Sequence, residues 1–237
     1  RFLFKIPISD ANCGLRVFTK DAYLRLHMAS DGMEFASEML VKAGLLKFKV
    51  VELPCSLLRG PSDRIPHLRP WRDGKRHLNF ILLYAPDYLF KYPGIVFTFI
   101  SLLGLSVLTP GVLHLGHRLI DYHVMLFFSL LLIVGYQMIW LSIFEKNLIS
   151  HGELEIRVNL KNRSYQLAID RWFLFAIFLV TLSLIISYFI FSAWWHTGNI
   201  NLTQKRLLIW VVNLTAMGIL TVANAFMVGI ISLSRKR

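Results

Sequence analysis

The sequence predicts an α/β portion followed by an all-α membrane domain of four transmembrane helices, and three observations predict it. Apolar residues make up 55% of the 237 positions and gather in four runs, at roughly 93–114, 122–144, 172–195 and 207–232, none of which holds Asp, Glu, Lys or Arg. A helix crosses a bilayer core with about 20 mostly apolar residues, so each run is long enough to span. Residues 1–94, by contrast, alternate strand-like and helix-like patterns, which suits an α/β unit. Lys and Arg supply the third observation: 23 of the 26 fall in 1–94, 145–171 and the C-terminal tail, segments that share one side if the chain crosses four times. Positive charge marks the cytoplasmic side, so both termini are expected there, in an integral multi-pass protein of a bacterial inner membrane. The expected boundaries are 1–70 for the α/β portion, 71–92 for interfacial amphipathic helices and 93–237 for the membrane domain, with a cytoplasmic loop or hairpin at 145–171.

The formal charge of +12 would suit nucleic acid, but its distribution follows membrane topology, so no nucleic-acid partner is expected. Mean hydropathy is +0.54, too apolar for a single soluble domain. Cys13 and Cys55 are expected as cytosolic thiols, and no Cys/His spacing matches a metal site.

In chain order, Asn12–Phe18 reads as a short strand, and Thr19 as the N-cap of a helix over about 20–27. Asp31 and Glu34 have capping-box spacing. The helix they open carries Phe35, Met39 and Ala43 on one face and Glu34, Glu38 and Lys42 on another. Phe48–Leu53 reads as a strand stopped by Pro54. The chain opens Arg1-Phe2-Leu3-Phe4 without Met, and about 90 residues is little to bury a doubly covered sheet, so an N-terminal portion is expected to precede it.

Residues 53–80 carry Arg59, Arg64, Arg69, Arg72, Lys75 and Arg76 against only Asp63 and Asp73. Guanidinium groups at a membrane junction suit phosphate oxygens. From Trp71 to Tyr84, Leu78, Ile81, Leu82 and Ala85 follow helical spacing, as in a helix lying in the headgroup plane. Pro86 and Pro93-Gly94 break the chain before the first span. Pro110-Gly111 and Gln137 read as a kink and an interhelical hydrogen bond. His114–Asp121 is a short outer loop. In 153–169 two runs of apolar alternation flank Lys161-Asn162-Arg163, which predicts a β-hairpin. Asn201-Leu202-Thr203 is a glycosylation triplet that its closeness to the membrane makes a chance match. Gly218, Ala223 and Ala225 in the last span would permit close helix packing and hence an oligomer.

Four short motifs then carry a resemblance. Asp10-Ala11-Asn12-Cys13-Gly14-Leu15-Arg16-Val17-Phe18, Asp31-Gly32-Met33-Glu34-Phe35-Ala36-Ser37-Glu38-Met39, Val51-Glu52-Leu53-Pro54 and Arg59-Gly60-Pro61-Ser62-Asp63-Arg64 follow one another in order. Together they resemble the second half of the catalytic domain of family 2 inverting glycosyltransferases, and within that family the polyprenyl-phosphate type related to dolichyl-phosphate mannose synthase. The resemblance implies a partial GT-A-like, Rossmann-type domain. It also implies transfer of a sugar, with inversion, from a nucleotide-sugar to a polyprenyl phosphate such as undecaprenyl or dolichyl phosphate. By the same resemblance Asp10 would orient the acceptor or act as a base, unless it only caps a turn. Arg16 would contact phosphate or form a structural ion pair. Glu38 would be the acidic residue of the acceptor-side helix, or a solvated partner of Lys42. Arg59, Ser62, Arg64, His67, Arg69 and Arg72 would bind the donor and lipid phosphates. Mg2+ or Mn2+ is expected in the complete enzyme, but the Asp-x-Asp that would hold it is nowhere in this chain. The chain alone is therefore expected to be inactive. The alternative is a non-catalytic membrane anchor or partner subunit with a degenerate glycosyltransferase half.

Overall fold

The computed structural model describes residues 8–10, 13–28, 30, 34–56, 84–115, 118–151 and 163–234, and within 71–82 only Trp71, Gly74, Lys75, Leu78 and Leu82. The chain forms two compact units, Arg1–Pro86 with Ile149–Val158, and Asp87–Leu148 with Asn159–Arg237.

In the first unit, helix α1 spans Lys20–Leu26, and the Thr19 hydroxyl accepts the Ala22 N–H at 3.2 Å, as the cap signal predicts. Helix α2 spans Phe35–Leu45. Lys47 takes a left-handed φ of 55°, and the N–H groups of Lys47 and Phe48 reach back to the carbonyls of Gly44 and Ala43. Those bonds close the helix end in a Schellman pattern without glycine. Leu26, Met39 and Ala43 form the buried core, with Met28, Phe35, Leu46, Phe48 and Val50 packed on it. The expected face of Phe35, Met39 and Ala43 is thus the core face.

The expected strands do not form a sheet among the described residues. Residues 13–19 and 48–56 form no strand ladder, because a strand needs a hydrogen-bonded neighbour to persist. The 48–56 segment is tied instead to residues 9 and 10 through a side chain: Glu52 accepts the Ser9 N–H at 2.9 Å, the Ser9 hydroxyl at 2.7 Å and the Asp10 N–H at 3.1 Å. Trp71, Gly74, Lys75, Leu78 and Leu82 have helical backbone and fall on one helical face by their spacing. Trp71 is 92% exposed and Leu78 55%, so this face offers apolar surface beside a cationic stem.

The second unit holds four helices long and apolar enough to cross a membrane, over Asp87–Leu108, Tyr122–Leu148, Asp170–Thr197 and Leu202–Ile231. The chain is a multi-pass membrane protein. Helix α3 spans Tyr92–Leu108 and is entered through a π-helical turn, Asp87–Lys91. Pro93 has no N–H to return to Leu89, and a wider turn relieves the clash of its ring with that carbonyl. Helix α4 spans Tyr122–His151, α5 Arg163–Thr197 and α6 Leu202–Ser234.

Three expectations change here. Pro110-Gly111 does not kink a span but follows its end, since Pro110 cannot donate to the preceding turn. Two stretches assigned above to the span and the loop form an antiparallel pair, β1 (Leu113–Leu115) with β2 (Arg118–Ile120), in the register Leu113↔Ile120, His114↔Leu119. The second arm of the hairpin expected at 153–169 is helical, being the start of α5. Once the apolar run beyond Asp170 has nucleated a helix, each added turn gains hydrogen bonds without a new nucleation cost. The first arm lies outside the described residues.

Small residues set the packing. A Cβ on Gly94 would meet the Gly135 carbonyl oxygen at 2.8 Å, and one on Gly135 would meet the Thr98 nitrogen at 2.8 Å, so α3 and α4 touch backbone to backbone. A Cβ on Gly218 would meet Val180 Cγ2 at 2.7 Å, so that glycine is used between α5 and α6. Ala225 is also buried within the chain. Of the three small residues expected to permit an oligomer, only Ala223 stays exposed.

Helix α6 carries a seam of polar side chains. Arg206 donates twice to Asp121 Oδ1, at 2.7 and 3.1 Å. Asn213 donates to the Ser129 hydroxyl, Tyr136 bonds Thr221, and Gln137 exchanges bonds with Asn224 at 3.0 and 3.4 Å. Partner numbers differ by a near-constant 84 to 87, which is the signature of two parallel helices, α4 and α6, in fixed register. Ser183 bonds Thr215 from α5, and the Trp210 indole donates to Thr109 at the end of α3. The Gln137 bond is the interhelical one expected.

Candidate functional site

Three of the expected site residues, Asp10, Arg16 and Glu38, are described, and all lie in the first unit. Arg59, Ser62, Arg64, His67, Arg69 and Arg72 lie outside the described residues.

Asp10 is exposed, directly after a bend at Ser9 and two residues after buried Ile8. Its backbone is pinned by Glu52, while its side chain is solvent-accessible. Arg16 turns back on its own segment, donating from Nε to the Cys13 carbonyl at 3.0 Å and from Nη1 to the Ala36 carbonyl. Ala36 lies in the first turn of α2, so Arg16 ties the 13–16 bend to that helix start. Burial pulls the Arg16 guanidinium below its ordinary value, and the nearby Cys13 and Asp10 oppose that shift. Asp10 and Arg16 are therefore electrostatic neighbours, as an ion-pair role for Arg16 requires.

Glu38 is not a solvated partner of Lys42. The two side chains pair at 2.6 Å with relative exposures of 1% and 2%. Glu38 also accepts the Ser30 N–H at 2.8 Å, and Lys42 donates to the His27 carbonyl. Helical i,i+4 spacing brings the charges together, and the two added bonds to backbone offset the cost of taking them out of water. The pair thus ties the backbone of His27 and Ser30 to α2. Its carboxylate is shut off from solvent, so Glu38 acts here on the fold rather than on a ligand in solution.

Glu52 was legible only as part of a motif, with no role attached. Its three bonds to Ser9 and Asp10 make it the residue that fixes the Asp10 backbone. A carboxylate in an extended segment just before a proline gives no sign in sequence of what it will hold.

Among the described residues no group of three His, Cys, Asp or Glu could hold a metal ion, and Asp-x-Asp is absent from the chain. These donors do not fit a divalent metal on a diphosphate. In the second unit an apolar groove of about 430 Å³ runs between α5 and α6, floored by Gly218 and Ala176 and walled by Val180, Ile219 and Val222. Asp87, at the entry to α3, pairs with Lys146 near the end of α4 and, at 3.8 Å, with Lys91.

One unit of four helices able to cross a membrane and another whose charged residues brace its backbone define a multi-pass membrane protein with a second, polar unit. Comparison with known proteins then narrows it. The chain is similar to the low-salt glycan biosynthesis hexosyltransferase Agl6 of Haloferax volcanii, 36% identical over 137 residues. That similarity covers 58% of this chain and 32% of the Haloferax protein, so the chain spans about a third of its relative. No family model matches the chain, and no solved structure matches it. The chain thus resembles a glycosyltransferase of glycan biosynthesis.

Proposed function

We propose that the chain is the acceptor-side portion of a membrane glycosyltransferase that transfers a hexose, with inversion, from a nucleotide-sugar to polyprenyl phosphate at the cytoplasmic membrane face. The observation that carries this reading is the 36% identity to a glycan-biosynthesis hexosyltransferase in a chain with four membrane-spanning helices. A sugar acceptor presented at a membrane suits a lipid phosphate, and the basic segment 59–76 stands in sequence immediately before the first span.

In this reaction an oxygen of the lipid phosphate attacks the anomeric carbon. The bond from that carbon to the donor diphosphate breaks, and the electron pair leaves with the nucleotide diphosphate. Attack opposite the leaving group inverts the centre. The acceptor is already an anion at neutral pH, so alignment and charge compensation matter more than a strong base. Asp10, exposed and fixed by Glu52, orients the acceptor. Arg16 and Glu38 are positioning residues, Arg16 holding the Cys13 and Ala36 carbonyls and Glu38 the Ser30 N–H. Arg59, Ser62, Arg64, His67, Arg69 and Arg72 bind the two phosphates, and guanidinium forks suit both. The divalent metal of the complete enzyme finds no donor set among the described residues, and no step here passes through it. The exposed Trp71 and Leu78 on one helical face with Lys75 suit a helix lying among lipid headgroups. The groove between α5 and α6 has the apolar lining that an isoprenoid chain would need.

Membranes containing the full-length protein, incubated with radiolabelled nucleotide-sugars and polyprenyl phosphates, test the proposal. A labelled lipid soluble in organic solvent, formed only with both substrates, is expected. Its absence across a full donor panel would count against the reading.

A further inference from the structure

Charged residues stand directly outside the apolar runs where the first span begins and the second ends. Asp87 and Lys91 bound the π-helical turn before α3, and Lys146 lies near the end of α4. Positive charge marks this end as the cytoplasmic one, so the three belong at the level of the lipid headgroups on that face. Tyr88 and Tyr92 are exposed there, with ring centroids 5.3 Å apart in edge contact, as aromatic residues of a membrane interface are.

Lys146 Nζ lies 2.5 Å and Lys91 Nζ 3.8 Å from one oxygen of Asp87, Oδ1. Two ammonium groups thus share a single carboxylate, and one positive charge is left over. Neither contact has hydrogen-bond geometry, and no hydrogen bond takes up the donors of either lysine among the described residues. Both lysine side chains are nearly half exposed. Glu145, next to Lys146, pairs with neither lysine, and its Oε2 is buried in the protein. An ammonium is a point charge with three rotatable donors, so each lysine can turn one onto a new oxygen without leaving Asp87. Because both stand on one oxygen, a single phosphate group can reach both.

The geometry points to a site at which Lys91 and Lys146 together hold the phosphate of an anionic membrane lipid, with Asp87 keeping the two ammoniums side by side and competing for them. Ile95, Val96 and Phe99 expose apolar surface on the first turns of α3, toward the bilayer interior, where the chains of such a lipid would lie. A free phosphate gains nothing from that surface. None of these residues has a part in the sugar transfer proposed above, so the site stands or falls apart from it.

The test uses the purified full chain in detergent micelles, incubated with phosphatidylglycerol that carries a photoactivatable headgroup, irradiated, and mapped by peptide mass spectrometry. Crosslinking to the peptides that hold residues 87–92 and 146 is expected, with unlabelled phosphatidylglycerol competing and phosphatidylcholine not. Lys91→Gln and Lys146→Gln should each weaken binding at these peptides about fivefold, the effect of one basic residue at a membrane surface. Asp87→Asn removes the competitor and should strengthen it by a similar factor. All three variants break the same ion pair, so a mere loss of local structure would move them in one direction, and that outcome would overturn the proposal. Equal competition by phosphatidylcholine would overturn it too, as would displacement by inorganic phosphate at the concentration of the lipid, which would make the site one for free phosphate.

Discussion

Both units bury polar groups, but they use them differently. In the first, Glu38, Lys42, Arg16 and Glu52 bond to backbone atoms of turns, irregular segments and a helix start: the Ser30 and Asp10 N–H groups and the carbonyls of His27, Cys13 and Ala36. In the second, Asp121, Ser129, Tyr136 and Gln137 bond side chain to side chain across two helices. Helices in a membrane already satisfy their own backbone, so polar side chains there set register. A unit with few regular elements must satisfy its backbone with side chains, and charged ones do so most strongly. The first arrangement holds exposed Asp10 in place; the second holds a membrane scaffold.

That contrast is broken most forcefully at the buried pair. Removing one partner, as in Glu38→Gln or Lys42→Met, leaves a buried charge and should cost about 3–5 kcal/mol, whereas Glu38→Leu with Lys42→Met together should cost less, about 1–3 kcal/mol, for the Ser30 N–H and His27 carbonyl that lose their partners. Thermal shift and proteolysis rate of the full chain compare the three. Next in size is Gly135→Leu, which forces a side chain against the Thr98 backbone. A loss of about 1–3 kcal/mol is expected, read as faster thermal inactivation in detergent.

Smaller still is the acid response of the Asp121–Arg206 ion pair. The hydrogen bond from Arg206 holds the Asp121 carboxyl below its ordinary value. The folded protein thus binds that proton less readily than the unfolded chain. The stabilisation is full above about pH 4, the unfolded carboxyl's value, and is lost as pH falls through the lowered one. Asp121→Asn should flatten that part of the stability-against-pH curve, measured by melting temperature. The smallest effect belongs to Gln137→Leu, at about 0.6 kcal/mol, since an unfolded helix in lipid finds other partners.

Much of this was legible in sequence where composition alone decides. Four uncharged apolar runs declared the spans, and Thr19 declared α1. The end of α3 was missed because Val112, Leu113 and Leu115 are as apolar as the span before them; only Pro110 marked the stop. Tyr165, Leu167 and Ile169 alternate like a strand, yet the helix beyond Asp170 captures them. Glu38 and Lys42 at i,i+4 look alike whether solvated or buried, and only the packing of α2 decides. Glu52 could not be assigned because its partners lie more than 40 residues away.

The central claim is that the basic stretch binds reacting phosphates and does more than hold the chain to lipid. Its most direct measurement is lipid-linked sugar formation by full-length Arg64→Ala beside its retention in membranes after a high-salt wash. The account predicts turnover reduced at least about tenfold, the equivalent of one lost charge-assisted hydrogen bond, with retention unchanged. Equal loss of both would contradict it and leave the stretch as a surface patch for anionic lipid.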